Sequence, residues 1–123
     1  MTVIATEGAR LSAIIAHEYE PAVAYCRDVV AVTVVTGMKI GAVLNGAGAL
    51  VTVATTATAS YVLIDERVKD LAPGTHNLLV LSRGPVILKD YMLTYGTDVD
   101  TDPEKVAVHA VLKAKGLIVE KAI

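Results

Sequence analysis

The chain has 123 residues, enough for one domain with a buried core and too few for two. Apolar residues make up 54% and aromatic residues only 4% (five Tyr, no Phe, no Trp), which excludes both intrinsic disorder and a nucleic-acid binder built on base stacking. Eleven Lys and Arg stand against 13 Asp and Glu, a formal charge of −2, and the basic residues never form a run of three, so neither DNA nor RNA is an expected partner.

The chain opens with Met1-Thr2-Val3-Ile4-Ala5-Thr6-Glu7, which lacks the basic start and apolar stretch of a secretion signal, so synthesis and retention in cytosol are expected. Leu11, Ile14 and Ile15 fit one side of a short helical turn, which Pro21 ends. Residues 1–25 therefore read as an N-terminal arm, and residues 26–123 as one β-rich domain. Cys26, the single cysteine, permits no intrachain disulfide and suits a reducing compartment.

From residue 29 the chain is rich in β-branched residues. Residues 29–35 predict a strand, bounded by Thr36-Gly37. Residues 38–44 predict a second strand, interrupted at Gly41; residues 50–54 and 61–64 predict a third and a fourth. Residues 40–64 carry no charge, long enough on paper to cross a bilayer. Four polar or glycine positions at Gly41, Asn45, Gly46 and Gly48, followed by five hydroxyl residues, point instead to strands around a tight turn, with no membrane span.

Residues 65–74 are charged, end in Pro73-Gly74 and predict a surface connection. Residues 77–82 predict a strand, Arg83-Gly84-Pro85 a turn, and residues 86–88 a further strand. After an acidic loop at 96–102 comes the one predicted helix. Thr101 or Asp102 can cap it, and Pro103 and Glu104 suit its first turn. Val106, Ala107, Ala110, Val111 and Ala114 form an apolar stripe at helical spacing, and Gly116 is a stop before a last strand at 117–119. The expected fold class is mainly β with one C-terminal helix, a β-rich α+β domain resembling a small barrel or sandwich.

Chemistry-bearing residues are sparse. His17, His76 and His109 share no metal-ligand spacing with each other or with Cys26, and His109 falls outside the apolar stripe, so it is expected in solvent. His17-Glu18-Tyr19-Glu20 is expected to be a charged surface turn. Asp98, Asp100 and Asp102 alternate as in a calcium loop, but Pro103 and His109 occupy the places of its glycine and closing glutamate. Asn45-Gly46-Ala47-Gly48 has no helix behind it to bind phosphate and is expected to be a turn. Arg27 beside Cys26 favours the thiolate, whereas burial would leave the thiol inert. Met38-Lys39 is similar to the modified lysine of biotin carriers, over two or three residues only, and lacks their second methionine because Ile40 follows. No catalytic, cofactor-binding or metal-binding residue is assigned, and the protein is not expected to be an enzyme.

The ordered set of segments from Cys26 onward resembles the lambda-type head decoration, or capsid cement, proteins of tailed bacteriophages. Arg27-Asp28 leading into Val29-Val30-Ala31-Val32 is similar to their entry into the β-domain. Met38-Lys39-Ile40-Gly41-Ala42-Val43-Leu44 resembles their Lys-Ala-Gly-Thr-Val-Leu strand. Tyr61-Val62-Leu63-Ile64-Asp65-Glu66 is similar to an apolar strand closed by acidic residues. Leu79-Val80-Leu81 with Arg83-Gly84-Pro85-Val86 resembles the central strand and its Arg-Gly-Pro turn, and Lys115-Gly116-Leu117-Ile118-Val119 the C-terminal end. About 95 residues are covered. The arm departs from the pattern, since it carries Leu11, Ile14, Ile15 and Val23 where family arms are polar.

The resemblance implies a structural virion protein, a homotrimer on threefold and quasi-threefold positions of the expanded shell, with the major capsid protein as partner and no cofactor. It implies a place on the outer surface of the capsid after synthesis in the host cytoplasm. Thr2, Val3, Ile4, Ala5 and Thr6 have the β propensity to add a strand to a capsid sheet edge, so deletion of residues 1–15 is expected to abolish shell binding and spare the fold. Arg83, Gly84 and Pro85 are a candidate trimer or shell contact. The alternatives are a small β-barrel interaction module of a cellular complex and a carrier domain modified at Lys39.

Overall fold

Eight consecutive residues with alternating burial build the longest strands of this molecule, and shorter runs complete two separate sheets. The structure, a computed structural model, describes residues 14–19, 26–90 and 93–120. In chain order the strands are β1 (Ile15–Glu18), β2 (Arg27–Val34), β3 (Val43–Asn45), β4 (Ala59–Leu63), β5 (Gly74–Leu81) and β6 (Val86–Lys89). Helix α1 (Asp102–Lys113) and β7 (Leu117–Glu120) follow, and short 3₁₀ turns span Val53–Thr58 and Glu66–Asp70.

One sheet has the order β2-β5-β4-β3, with every neighbouring pair antiparallel; the other has the order β1-β6-β7, antiparallel at β1 and parallel at β7. The fold is thus mainly β with one C-terminal helix, as the β-branched runs imply. No barrel closes among the described residues, because the two sheets share no strand. Between the sheets and α1 lies a core of Val, Leu and Ile, including Leu44, Leu63, Leu78, Leu81, Leu88, Leu112 and Leu117.

Several elements differ from the sequence expectation. Ile14 is fully buried and Ile15 begins β1, paired with β6, so the packed body takes in residues ahead of the boundary expected at 26 and contains strand where a helical turn was expected. Glu18 closes β1 instead of lying on a surface turn. Residues 38–42 are loop, leaving only Val43–Asn45 as strand. Residues 50–54 are not a strand either. The Thr55 hydroxyl accepts the Thr52 amide and the Thr56 hydroxyl donates to the Thr52 carbonyl, so threonine side chains capture the backbone and wind it into a 3₁₀ turn.

Helix α1 starts as its capping residues dictate. The Thr101 hydroxyl accepts the Glu104 amide while the Glu104 carboxylate accepts the Thr101 amide. Its buried side chains, however, are Val108 and Leu112, and Val106 is 62% exposed, with Ala107, Ala110 and Ala114 also outward. The alanine-rich stripe loses because burying a Leu and a Val removes far more apolar area than burying methyl groups. Gly116 ends the helical segment at φ +86° and turns the chain into β7.

Candidate functional site

Arg83-Gly84-Pro85 lies where the two sheets and the end of α1 meet. The turn leaves β5, enters β6 through a cis Gly84–Pro85 bond, and is held on both sides by backbone. The Gly84 amide donates to the Lys115 carbonyl at 2.9 Å, and the Val86 amide to the Gly116 carbonyl at 3.0 Å. A Cβ on Gly84 would lie 1.9 Å from the Gly116 oxygen, so this crossing admits only glycine. The two stretches, more than 30 residues apart in sequence, are therefore one structural unit.

Charged side chains surround the same turn. Arg83 forms an ion pair with Asp28 of β2, whose carboxylate also accepts the Ser82 hydroxyl. Arg27 donates twice to the Glu18 carboxylate, at 2.8 and 2.9 Å, tying β1 to β2. That hydrogen-bonded carboxylate holds the Arg27 guanidinium above its ordinary pKa. Beneath them Cys26 is fully buried, its Sγ 3.5 Å from the Tyr19 carbonyl oxygen. Burial pushes the thiol up, outweighing its hydrogen bond to Tyr19 and the nearby arginines, so proximity to Arg27 does not yield a reactive thiolate.

A second concentration of polar groups flanks α1. A groove of about 560 Å³ is lined by Leu93, Tyr95, Lys105, Val106, His109 and Val119, with Asp90 and Asp102 beside them. The Tyr95 hydroxyl and His109 Nε2 are 2.6 Å apart. Burial raises the phenol and lowers the imidazole, so near neutrality a protonated phenol donates to a neutral ring. His109 is half-buried and bonded, not the solvated side chain expected from its place off the stripe. Nothing in the sequence pairs it with Tyr95, 14 positions away.

The remaining sequence candidates fall apart in space. Thr2, Val3, Ile4, Ala5 and Thr6 lie outside the described residues. Lys39 is exposed on the connection from β2 to β3, the two outer strands of their sheet, and so does not stand on a hairpin tip as a carrier lysine does. Asp98 accepts the Val53 amide at 3.2 Å and fastens its loop to the first 3₁₀ turn. Among the described residues no three His, Cys, Asp or Glu side chains converge to hold an ion, and no helix is long and apolar enough to cross a membrane. Asn45-Gly46-Ala47-Gly48 is a turn, organised by the Asn45 Oδ1, which accepts the Ala47 and Ala49 amides.

The sequence misses one polar hub. Asp65, buried at the end of β4, accepts the amides of Arg67 and Leu79 and a two-pronged bond from the Arg67 guanidinium, as close as 2.6 Å. These donors, the guanidinium foremost, pull its carboxyl down to about 2. The acidic end of residues 61–66 is thus a structural clamp. In comparisons with known proteins, no family model matches the chain and no curated protein matches it.

Proposed function

We propose that the chain is a head decoration protein of a tailed bacteriophage, a cement with no enzymatic role. Three copies sit on each threefold or quasi-threefold position of the expanded capsid, on its outer surface, and clamp neighbouring major capsid subunits against the pressure of packaged DNA. The physical logic is multivalency: three modest contacts on one rigid body hold far more tightly than one. A closed trimer also matches a threefold site without strain.

One observation carries the reading. The Arg-Gly-Pro turn and the Lys-Gly-Leu-Ile-Val end, which carry much of the resemblance to decoration proteins, interlock at Gly84 and Gly116. Residues that depend on one another for packing are expected to persist as a set. On this reading Thr2, Val3, Ile4, Ala5 and Thr6 add a strand to a capsid sheet edge. The turn at Arg83, Gly84 and Pro85 contacts either the shell or a neighbouring copy.

Co-sedimentation of the purified protein with expanded and unexpanded shells tests this. Saturable binding to expanded shells alone, near three copies per threefold position, is the expected result. A deletion must stop at residue 13, because Ile14 is fully buried; the shortened protein is expected to stay folded and lose shell binding. Absence of binding to either shell would leave a β-rich interaction module, and a cofactor-sized mass increase on Lys39 in cells with an active ligase would favour the carrier reading.

A further inference from the structure

Strand β2 is an outer strand, and its ladder to β5 uses every second peptide group. The Ser82 amide donates to the Cys26 carbonyl, whereas the Thr33 amide points the other way and donates to the Gly48 carbonyl at 2.9 Å. The amides and carbonyls of Arg27, Val29 and Ala31 therefore face outward. At the far end Gly48 closes the edge, packed so near that a Cβ on it would lie 2.0 Å from the Ala31 oxygen. At the near end the Arg27 side chain is folded onto Glu18. Between these stops the peptide groups of Val29 have no partner among the described residues, and its side chain is 66% exposed. None of the usual protections of an edge stands in the window 27–31: it has no Lys and no Pro, and the register to β5 is unbroken.

We propose that this edge pairs with the same edge of a second copy, antiparallel, about a twofold axis at Val29. The form of the window selects the occupant. Outward peptide groups at 27, 29 and 31 are all used when Val29 faces Val29 and Arg27 faces Ala31. A shift of two residues in one direction sets Asp28 against Asp28, and in the other drives the incoming strand into Gly48. In the central register Asp28 faces Val30 and no like charges oppose. Five residues a side bury much less than a stable interface, so the association is reversible and adds a twofold contact to whatever oligomer the chain otherwise forms. It stands independently of the shell-binding reading.

The test uses a cysteine at the axis. Directly opposed residues of a hydrogen-bonded pair have Cα atoms about 5.5 Å apart, within disulfide reach. Val29→Cys is expected to form a covalent two-copy species under mild oxidation roughly tenfold faster than Val106→Cys, an equally exposed site on α1, because pairing raises the local thiol concentration. Native Cys26, buried with its thiol pushed up, is silent in both. In sedimentation equilibrium the native chain should gain a two-copy species with concentration, and Val29→Lys should lose it at unchanged melting temperature. Equal cross-linking of the two cysteine variants, or equal association of native and Val29→Lys chains, overturns the proposal.

Discussion

The two outer strands of the four-stranded sheet are opposites. β3 has three residues and all are buried; β2 has eight, and Val29, Ala31 and Thr33 are exposed. The chain returns over β3 twice. The Val51 amide donates to the Val43 carbonyl, the Val43 amide to the Thr94 carbonyl, and the Gly96 amide to the Val51 carbonyl, each within 3.0 Å. Over β2 it returns only at Gly48. Strand length and β propensity thus say little about which edge is protected; protection comes from the segment that folds back onto it, here guided by the Asn45 turn.

The largest expected effect sharpens this contrast. Leu44→Ala, in the sealed edge, should destabilise the fold by about 2–5 kcal/mol through the cavity it leaves, whereas Val29→Ala should change stability by no more than about 0.5 kcal/mol. Urea midpoints read both, and comparable losses would break the comparison. Asn45→Ala comes next, at about 1–2 kcal/mol, since it strips the acceptor from the Ala47 and Ala49 amides and loosens the return over β3.

A pH effect follows at the centre of the sheet. Asp65 is held at about 2, below the ordinary carboxylate value, so the folded state binds this proton less readily than the unfolded chain. Its contribution is therefore complete above about pH 4 and lost as pH falls toward 2, and Asp65→Asn should flatten that part of the stability curve. The smallest effect is the most local. In hydrogen exchange the Val29 amide should exchange fast between slow Asp28 and Val30 amides, while the Val43 amide stays slow. Protection of Val29 in a dilute sample would mean that something already covers the β2 edge.

Much of the fold was legible because local chemistry and tertiary structure agreed. β5 extends the predicted strand at 77–82, and Thr101, Glu104 and Gly116 bracket α1 by hydrogen bonding and backbone conformation that need no distant partner. The misreadings came where short-range signals competed. Residues 50–54 look like a strand until the Thr55 and Thr56 hydroxyls bind the backbone at Thr52. The stripe at 106, 107, 110, 111 and 114 has helical spacing, yet spacing does not weigh an alanine against Leu112. The surroundings of the Arg83-Gly84-Pro85 turn were illegible for a different reason, since the contacts made by Asp28 and Gly116 span more than 30 residues.

By itself the sequence determined what depends on composition and near neighbours: a β-rich chain with one late helix, punctuated by Asn45-Gly46, Arg83-Gly84-Pro85 and Gly116. Only the tertiary structure decided which edge of the sheet stays open, which face of α1 is buried, and that Gly84 must meet Gly116. Hydrogen bonds within a turn are set by the residues that form it, whereas burial and edge protection depend on which distant segment arrives, and that is a property of the whole packed chain.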